Sequence, residues 1–243
     1  MSIPTPVSFW NLNESSGNAS DAVASNTLTN NNTTTYVAGL ISNAAEFVRA
    51  SSQSLSITDA AQTGLDPGGA MSMQAWIRIT ALPSSGDYHT VAAKGGISIT
   101  TTDSTCQYLL FIANDGAQTV QAFARGAGNN MAASHAVSLS TGVWNHLVLT
   151  YEPSVALRLW INGTNVASDT SSISGSLVNT ARPFAIGADQ ATGAANFFNG
   201  RVDMVGVWNV LLTSAEISSL YNAGAGIQFP FASASNSNFF AFM

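Results

Sequence analysis

The chain is 243 residues long, carries a formal net charge of −6 and holds only 8% charged residues, against roughly 25% in an ordinary soluble domain. Seven lysines and arginines are too few for a basic stripe, which argues against a nucleic-acid partner and against an anionic membrane surface. No apolar run approaches the about 18 residues of a membrane span, so no membrane insertion is expected, while a hydrophobic share of 46% suffices for a large core.

Residues 1–6 carry neither a basic segment nor an apolar stretch, unlike a secretory signal, and read as the start of a chain made in a cytoplasm. From there, short apolar runs separated by Gly, Asn, Ser and Pro predict strands over 7–12, 45–49, 54–58, 71–80, 89–94, 107–113, 119–125, 133–139, 144–151, 156–161, 164–168, 184–187 and 195–208. In the run from Met73 to Ile79 the odd positions are apolar and the even ones mostly polar, the period of a half-buried strand. Asn114-Asp115-Gly116 marks one hairpin and Asn162-Gly163 another; both residues of the second accept the positive φ of a type I′ turn. Cys106, the one cysteine, excludes an intrachain disulfide and a cysteine zinc site, and reads as a partly buried, inert thiol.

Near the end, Thr213-Ser214-Ala215-Glu216 has capping-box spacing, Ile217, Leu220 and Tyr221 follow at helical spacing, and Gly224 supplies the stop. Residues 1–231 thus read as one β-sandwich or barrel with a short C-terminal helix. Residues 232–238 form a Ser/Ala/Asn linker, and Phe239, Phe240, Phe242 and Met243 end the chain as an apolar tail with three expected readings: folded back as a final strand, docked on a partner subunit, or disordered.

Several segments, in order, resemble the laminin G-like jelly-roll domains of the concanavalin A-like lectin/glucanase group. Trp10, Leu12, Glu14, Ser16 and Gly17 match the opening W-x-L-x-E-x-S-G, and 21–29 resembles the polar loop after it. Segments 43–47, 73–77 and 144–151 are similar to core strands, 157–163 to the hairpin L-x-L-Y-I-N-G, and 198–208 to the last strand. The resemblance covers about 7–224 and implies an all-β fold of two antiparallel sheets in jelly-roll order. It does not fix a function, since relatives include lectins, adhesion modules, glucanases and bacteriophage particle proteins.

Glycoside hydrolysis needs two facing carboxylates. None of Glu14, Glu46, Glu152 and Glu216 lies two or four residues from another acid, and His89, His135 and His146 form no recognisable triad, so no catalytic residue is expected. Domains of this type often hold a structural calcium ion. The resemblance places Asp21 and Asn26 in the loop and Asp203 in a neighbouring last strand, where their oxygens could bind Ca2+ or could equally cap turns and core backbone. Tyr88, Trp160, Phe197 and Phe198 are the aromatic candidates for a glycan platform, set against an ordinary packing role.

The expected function is a non-catalytic surface-displayed module at a virion surface, a bacteriophage head decoration or fibre protein. Its expected partners are capsid or other virion subunits and cell-surface glycans, with assembly as a homo-oligomer. The alternative is a carbohydrate-binding or adhesion domain of a secreted or cell-surface bacterial protein; a glucanase is the third reading.

Overall fold

Period-two alternation has to bury one side of each strand, and two sheets facing each other do that for most of the chain. A computed structural model of the protein describes residues 2–96, 105–114, 116–126, 129–136, 139–171, 173–190 and 193–231. In chain order the strands are β1 (Ser8–Trp10), β2 (Thr29–Asn31), β3 (Thr35–Ala38), β4 (Asn43–Phe47), β5 (Ser54–Ile57), β6 (Met71–Ile79), β7 (Tyr88–Gly95), β8 (Cys106–Asn114), β9 (Gln118–Gly126), β10 (Asn129–Ala136), β11 (Trp144–Glu152), β12 (Ala156–Ile161), β13 (Thr164–Asp169), β14 (Phe184–Ile186) and β15 (Gly200–Trp208). Helix α1 (Ser214–Tyr221) follows.

The strands form two antiparallel sheets. One has eight strands, ordered β13-β12-β11-β6-β15-β4-β3, with β1 also paired to β15. The other has seven, ordered β10-β9-β8-β7-β14-β5-β2. Strand β15 pairs with β4 through Gly200–Val202 and with β1 through Val205–Val207, changing partner at a bulge after Asp203.

The main core lies between the sheets. Met73, Ala75, Ile77 and Ile79 of β6 face it from one side, and Tyr108, Leu110 and Ile112 of β8 from the other. Trp10 is fully buried there, stacked on Phe184 at 5.0 Å, with its Nε1 donating to Asn26 O at 2.8 Å. A second apolar layer covers the outer face of the eight-stranded sheet. Trp76, Val148, Met204 and Trp208 lie on that sheet under Ile217 and Leu220 of α1, with Phe229 and Phe231 packed alongside. Both faces of β6 are therefore covered, which is why its polar positions Ser72 and Gln74 are also buried.

The Asn162-Gly163 turn is as expected, with φ of 51° and 79°. The capping box is present too: Thr213 Oγ1 accepts from Glu216 N at 3.3 Å and Thr213 N donates to Glu216 Oε2 at 2.7 Å. Three expectations are corrected. Asn222, in the left-handed conformation with its N–H on Ser218 O, ends α1 ahead of Gly224. The strand expected over 195–208 begins only at Gly200. Strands β2 and β3 have no counterpart in the expected set, because β2 is wholly polar and β3 is a four-residue edge strand without apolar alternation. Phe239, Phe240, Phe242 and Met243 lie outside the described residues.

Candidate functional site

Strands β2 and β3 lie at the edges of different sheets, so residues 32–34 cross from one layer to the other. Asn32 and Thr33 make the crossing with consecutive left-handed backbones, φ 57° and 55°. Threonine is strained there, and side chains hold the turn. Asn30 Oδ1 accepts from Thr34 N at 2.7 Å, and Asn30 Nδ2 donates to Thr34 O at 2.8 Å. Gln53 Nε2 donates to Thr33 O at 2.9 Å, and Asn32 Nδ2 to Ser52 O at 2.7 Å.

The loop that follows β1 is tied to this turn. Asn18 Oδ1 accepts from Asn30 N at 3.0 Å, while Asn30 Nδ2 and the Tyr36 hydroxyl donate to Gly17 O at 2.8 and 3.1 Å. Between loop and turn lies a cleft of about 470 Å³, with Ser15, Ser16, Asn18, Thr33, Thr35 and Tyr36 among its lining residues. That volume falls within the roughly 300–1,000 Å³ of small-molecule sites. Every residue lining it is uncharged. Burial, reinforced by the Glu14 carboxylate, raises the Tyr36 phenol above its ordinary range, so its hydroxyl remains a donor at neutral pH.

The four expected aromatics are not part of this cleft and do not meet one another. Phe198 is fully buried in the inter-sheet core, edge-on to His89 at 6.2 Å. Trp160 is half-buried against the outer layer, its Nε1 donating to Thr150 Oγ1 at 3.0 Å. Tyr88 packs with Phe111 beside the opposite sheet, their centroids 6.0 Å apart, and Phe197 is half-buried just before β15. Three of these rings therefore pack against apolar clusters, as aromatics in and beside strands commonly do.

The calcium trio is divided as well. Asp21 Oδ1 accepts from Phe9 N and Val23 N, both at 3.0 Å, and Oδ2 from Asn26 N at 3.2 Å. Asn26 is buried, its Oδ1 accepting from Thr63 N at 2.8 Å and its Nδ2 donating to Ser8 Oγ and Thr63 O at 2.7 and 2.8 Å. Asp203 Oδ2 accepts from Leu40 N at 2.9 Å and Ile41 N at 3.4 Å. Asp203 Oδ1 is buried without a hydrogen-bond donor. Asp21 and Asn26 fasten the first loop, and Asp203 fastens the turn between β3 and β4. Among the described residues no three His, Cys, Asp or Glu gather as metal ligands.

The model of a laminin G-type family, described as the concanavalin A-like lectin/glucanases superfamily, matches residues 49–218, more than half of the chain. The chain belongs to the concanavalin A-like lectin/glucanase superfamily. Among curated proteins no sequence matches it. Domain 4 of the extracellular GH43 arabinanase AbnA from Geobacillus stearothermophilus, solved with arabinotriose, is 18% identical, with a TM-score of 0.61 over 88% of this chain and 97% of that domain. The receptor-binding domain of botulinum neurotoxin mosaic serotype C/D is 13% identical at a TM-score of 0.64, over 90% of this chain and 50% of that domain. Trypanosoma rangeli sialidase, in complex with 2,3-difluoro-KDN, is 16% identical at a TM-score of 0.63, over 92% of this chain and 34% of that chain. The chain thus spans about half of the receptor-binding domain and a third of the sialidase, and at these identities the likeness is one of fold.

A hydrolase of this superfamily needs two carboxylates across a groove. Asp59 and Asp66 do come together, but on the buried Lys94 amine and the Gln62 amide. Glu46 is paired with Arg201 at 3.0 Å and Glu152 with Arg158 at 2.7 Å, and Glu216 caps α1. His146 is fully buried with Nε2 2.9 Å from Gln74 Oε1, and burial lowers its pKa to about 3.

The cleft residues were missed because no motif marks them. The one available signal was the polar run from Asn30 to Thr35, too hydrophilic for a core strand yet placed between strands of a sandwich.

Proposed function

We propose that this chain is a non-catalytic carbohydrate-binding domain that takes its ligand in the cleft between the loop after β1 and the β2–β3 turn. The observation that carries this reading is the cleft's lining. Unpaired hydroxyls, an amide and one tyrosine ring stand on a frame already fixed by internal hydrogen bonds. Sugars present hydroxyls along their edges and C–H groups on their faces. A site of neutral donors and acceptors beside an aromatic surface answers both, and its rigidity lowers the entropy lost on binding.

Support also comes from the arabinanase domain, a neighbour of the same size and fold solved with an oligosaccharide. No observation on the fold or the cleft favours display on a virion, and none of the neighbours named above is a virion protein. The alternative expected from the sequence, an extracellular carbohydrate-binding domain, is the reading we adopt. A glycan array followed by calorimetry tests it, and a polysaccharide panel tests the absence of catalysis. Saturable binding of an oligosaccharide without release of reducing ends is the expected result. Hydrolysis of any panel member would refute the non-catalytic assignment.

A further inference from the structure

We infer that the cleft selects neutral oligosaccharides and rejects carboxylated sugars, a specificity set by the absence of a cation from its walls and by Glu14 behind them. This rests on the carbohydrate-binding reading above and narrows it to a ligand class.

Two sets of polar groups meet in the cleft. The Asn30 carboxamide, the Asn18 oxygen and the Tyr36 hydroxyl are consumed by internal hydrogen bonds and build the frame. The hydroxyls of Ser15, Ser16, Thr33 and Thr35 and the Asn18 Nδ2 have no partner within the described residues. The second set is what a ligand meets. It offers donors and acceptors of no net charge, beside the half-buried face of Tyr36.

A sugar carboxylate entering this site would lose water and find no charged donor. Carboxylate recognition is served by guanidinium or ammonium groups, and an anion desolvated without one is strongly disfavoured. None of the seven lysines and arginines lines the cleft, and four of them are engaged in ion pairs elsewhere. Lys94 is buried with two aspartates, Arg49 is paired with Asp87 at 2.8 Å, and Arg158 with Glu152. Arg201 comes nearest in the sheet: Thr35 on the cleft edge lies opposite Glu46, which in turn lies opposite Arg201. Glu46 stands between them and holds the guanidinium at 3.0 Å, while Arg201 also donates to Ala38 O at 3.1 Å.

Glu14 adds a repulsive element. It directly precedes Ser15, its Oε1 accepts from Ser20 N at 2.8 Å, and its Oε2 is shielded with no hydrogen-bond donor. Its charge is therefore not neutralised by a cation, and it acts on anything placed over Ser15 and Tyr36. Specificity of this kind comes as much from what repels the wrong ligand as from what attracts the right one.

The test is calorimetry on the full chain with arabinotriose as the neutral probe and 3′-sialyllactose as the acidic one. The expected result is measurable binding of arabinotriose and none of sialyllactose. Ser16→Arg, at an exposed position, should weaken arabinotriose by about tenfold or more, the scale of a few lost contacts. Glu14→Gln keeps the bond to Ser20 N and should leave arabinotriose within about threefold while narrowing the gap to sialyllactose. Tyr36→Ala should weaken arabinotriose about tenfold, the scale of a lost ring contact; near-ultraviolet circular dichroism checks its fold, and Ser16→Arg carries the test should that variant misfold. Binding of sialyllactose as tight as arabinotriose would overturn the selectivity while leaving carbohydrate binding intact. Arabinotriose binding untouched by Ser16→Arg and Tyr36→Ala would move the site elsewhere on the sandwich. Failure of every glycan on the array would instead remove the carbohydrate-binding reading itself.

Discussion

Replacing Lys94 with methionine should destabilise the domain by about 3 kcal/mol. Lys94 is the chain's sole lysine and is completely buried. It reaches inward from β7 to the Asp59 carboxylate, to Asp66 at 3.1 Å, and to the carbonyls of Thr180 and Arg182 at 3.1 and 2.5 Å. One ammonium thus ties two long connections, that between β5 and β6 and that between β13 and β14, to the centre of the seven-stranded sheet. Methionine keeps the stem's bulk and removes the charge and the donors. Losing one partner of a buried ion pair costs about 3–5 kcal/mol, and each orphaned carbonyl adds about 1 kcal/mol or more. The aspartate side chains are 31% and 19% exposed, so water rehydrates them and cuts the ion-pair part to about 1 kcal/mol, which with two carbonyls at about 1 kcal/mol each gives about 3 kcal/mol. Urea unfolding followed by tryptophan fluorescence at pH 7 measures it, and a thermal melt should show a fall in Tm of about 6–12 °C for a chain of this size. The triple variant Lys94→Met, Asp59→Asn, Asp66→Asn should recover part of the loss, because it removes the stranded charges. A Lys94→Met variant within about 1 kcal/mol of the parent would refute the assignment of this cluster as the tie between the two connections.

Acid should destabilise the domain from about pH 6.5 downward, above the ordinary carboxylate range of about 4. Burial lowers His146 to about 3, and burial followed by the Arg49 charge lowers His89 to about 4, whereas both take up protons near pH 6.5 when unfolded. Their stabilisation is complete above that pH and is lost as pH falls below it, by up to about 3 kcal/mol at pH 4 from His146 alone; His146→Gln should flatten this limb in a pH series of urea melts. Asp203 works in the opposite direction: burial raises it to about 7, so its contribution is present below about pH 4 and lost as pH rises through 7. Asp203→Asn should therefore gain about 1–3 kcal/mol on the parent between pH 5 and pH 8, and an unchanged pH profile would count against a buried, shifted carboxyl. Thr213→Ala should cost about 1 kcal/mol by removing the cap of α1, read as a lower urea midpoint with an unchanged slope.

How far the sequence carries the fold can be seen by comparing β6 with β2. Strand β6 reads as apolar at every second position, and its register against β11 and β15 follows from burying that side. Strand β2, Thr29–Asn31, is held by hydrogen bonds such as Asn31 Nδ2 to Ser56 Oγ at 2.9 Å, and it buries no apolar residue. Periodicity detects burial, so it finds the first and passes over the second. The same limit bears on the candidate site residues. Trp160 and Phe198 stand out in the sequence because they are large and aromatic, and such residues end up packed against apolar clusters. Asp21, Asn26 and Asp203 stand out through family resemblance, and each is occupied by backbone N–H groups that only the folded chain brings to it.

The location of the cleft follows from the same division of labour. A sandwich that buries both faces of its central strands leaves free polar groups chiefly at its rim, where edge strands need not alternate. Here the rim crossing between β2 and β3 must adopt two left-handed residues in succession, and asparagine side chains fix it by bonding the backbone. Once the asparagines are committed to the frame, the hydroxyls of Ser15, Ser16, Thr33 and Thr35 are left without partners among the described residues. A chain with 8% charged residues makes such a rim neutral by composition, so what it recognises must be recognised through hydroxyl geometry and ring contact. If one cation placed at Ser16 suffices to shift preference toward a carboxylated sugar, the chain's poverty of charge is itself the specificity determinant.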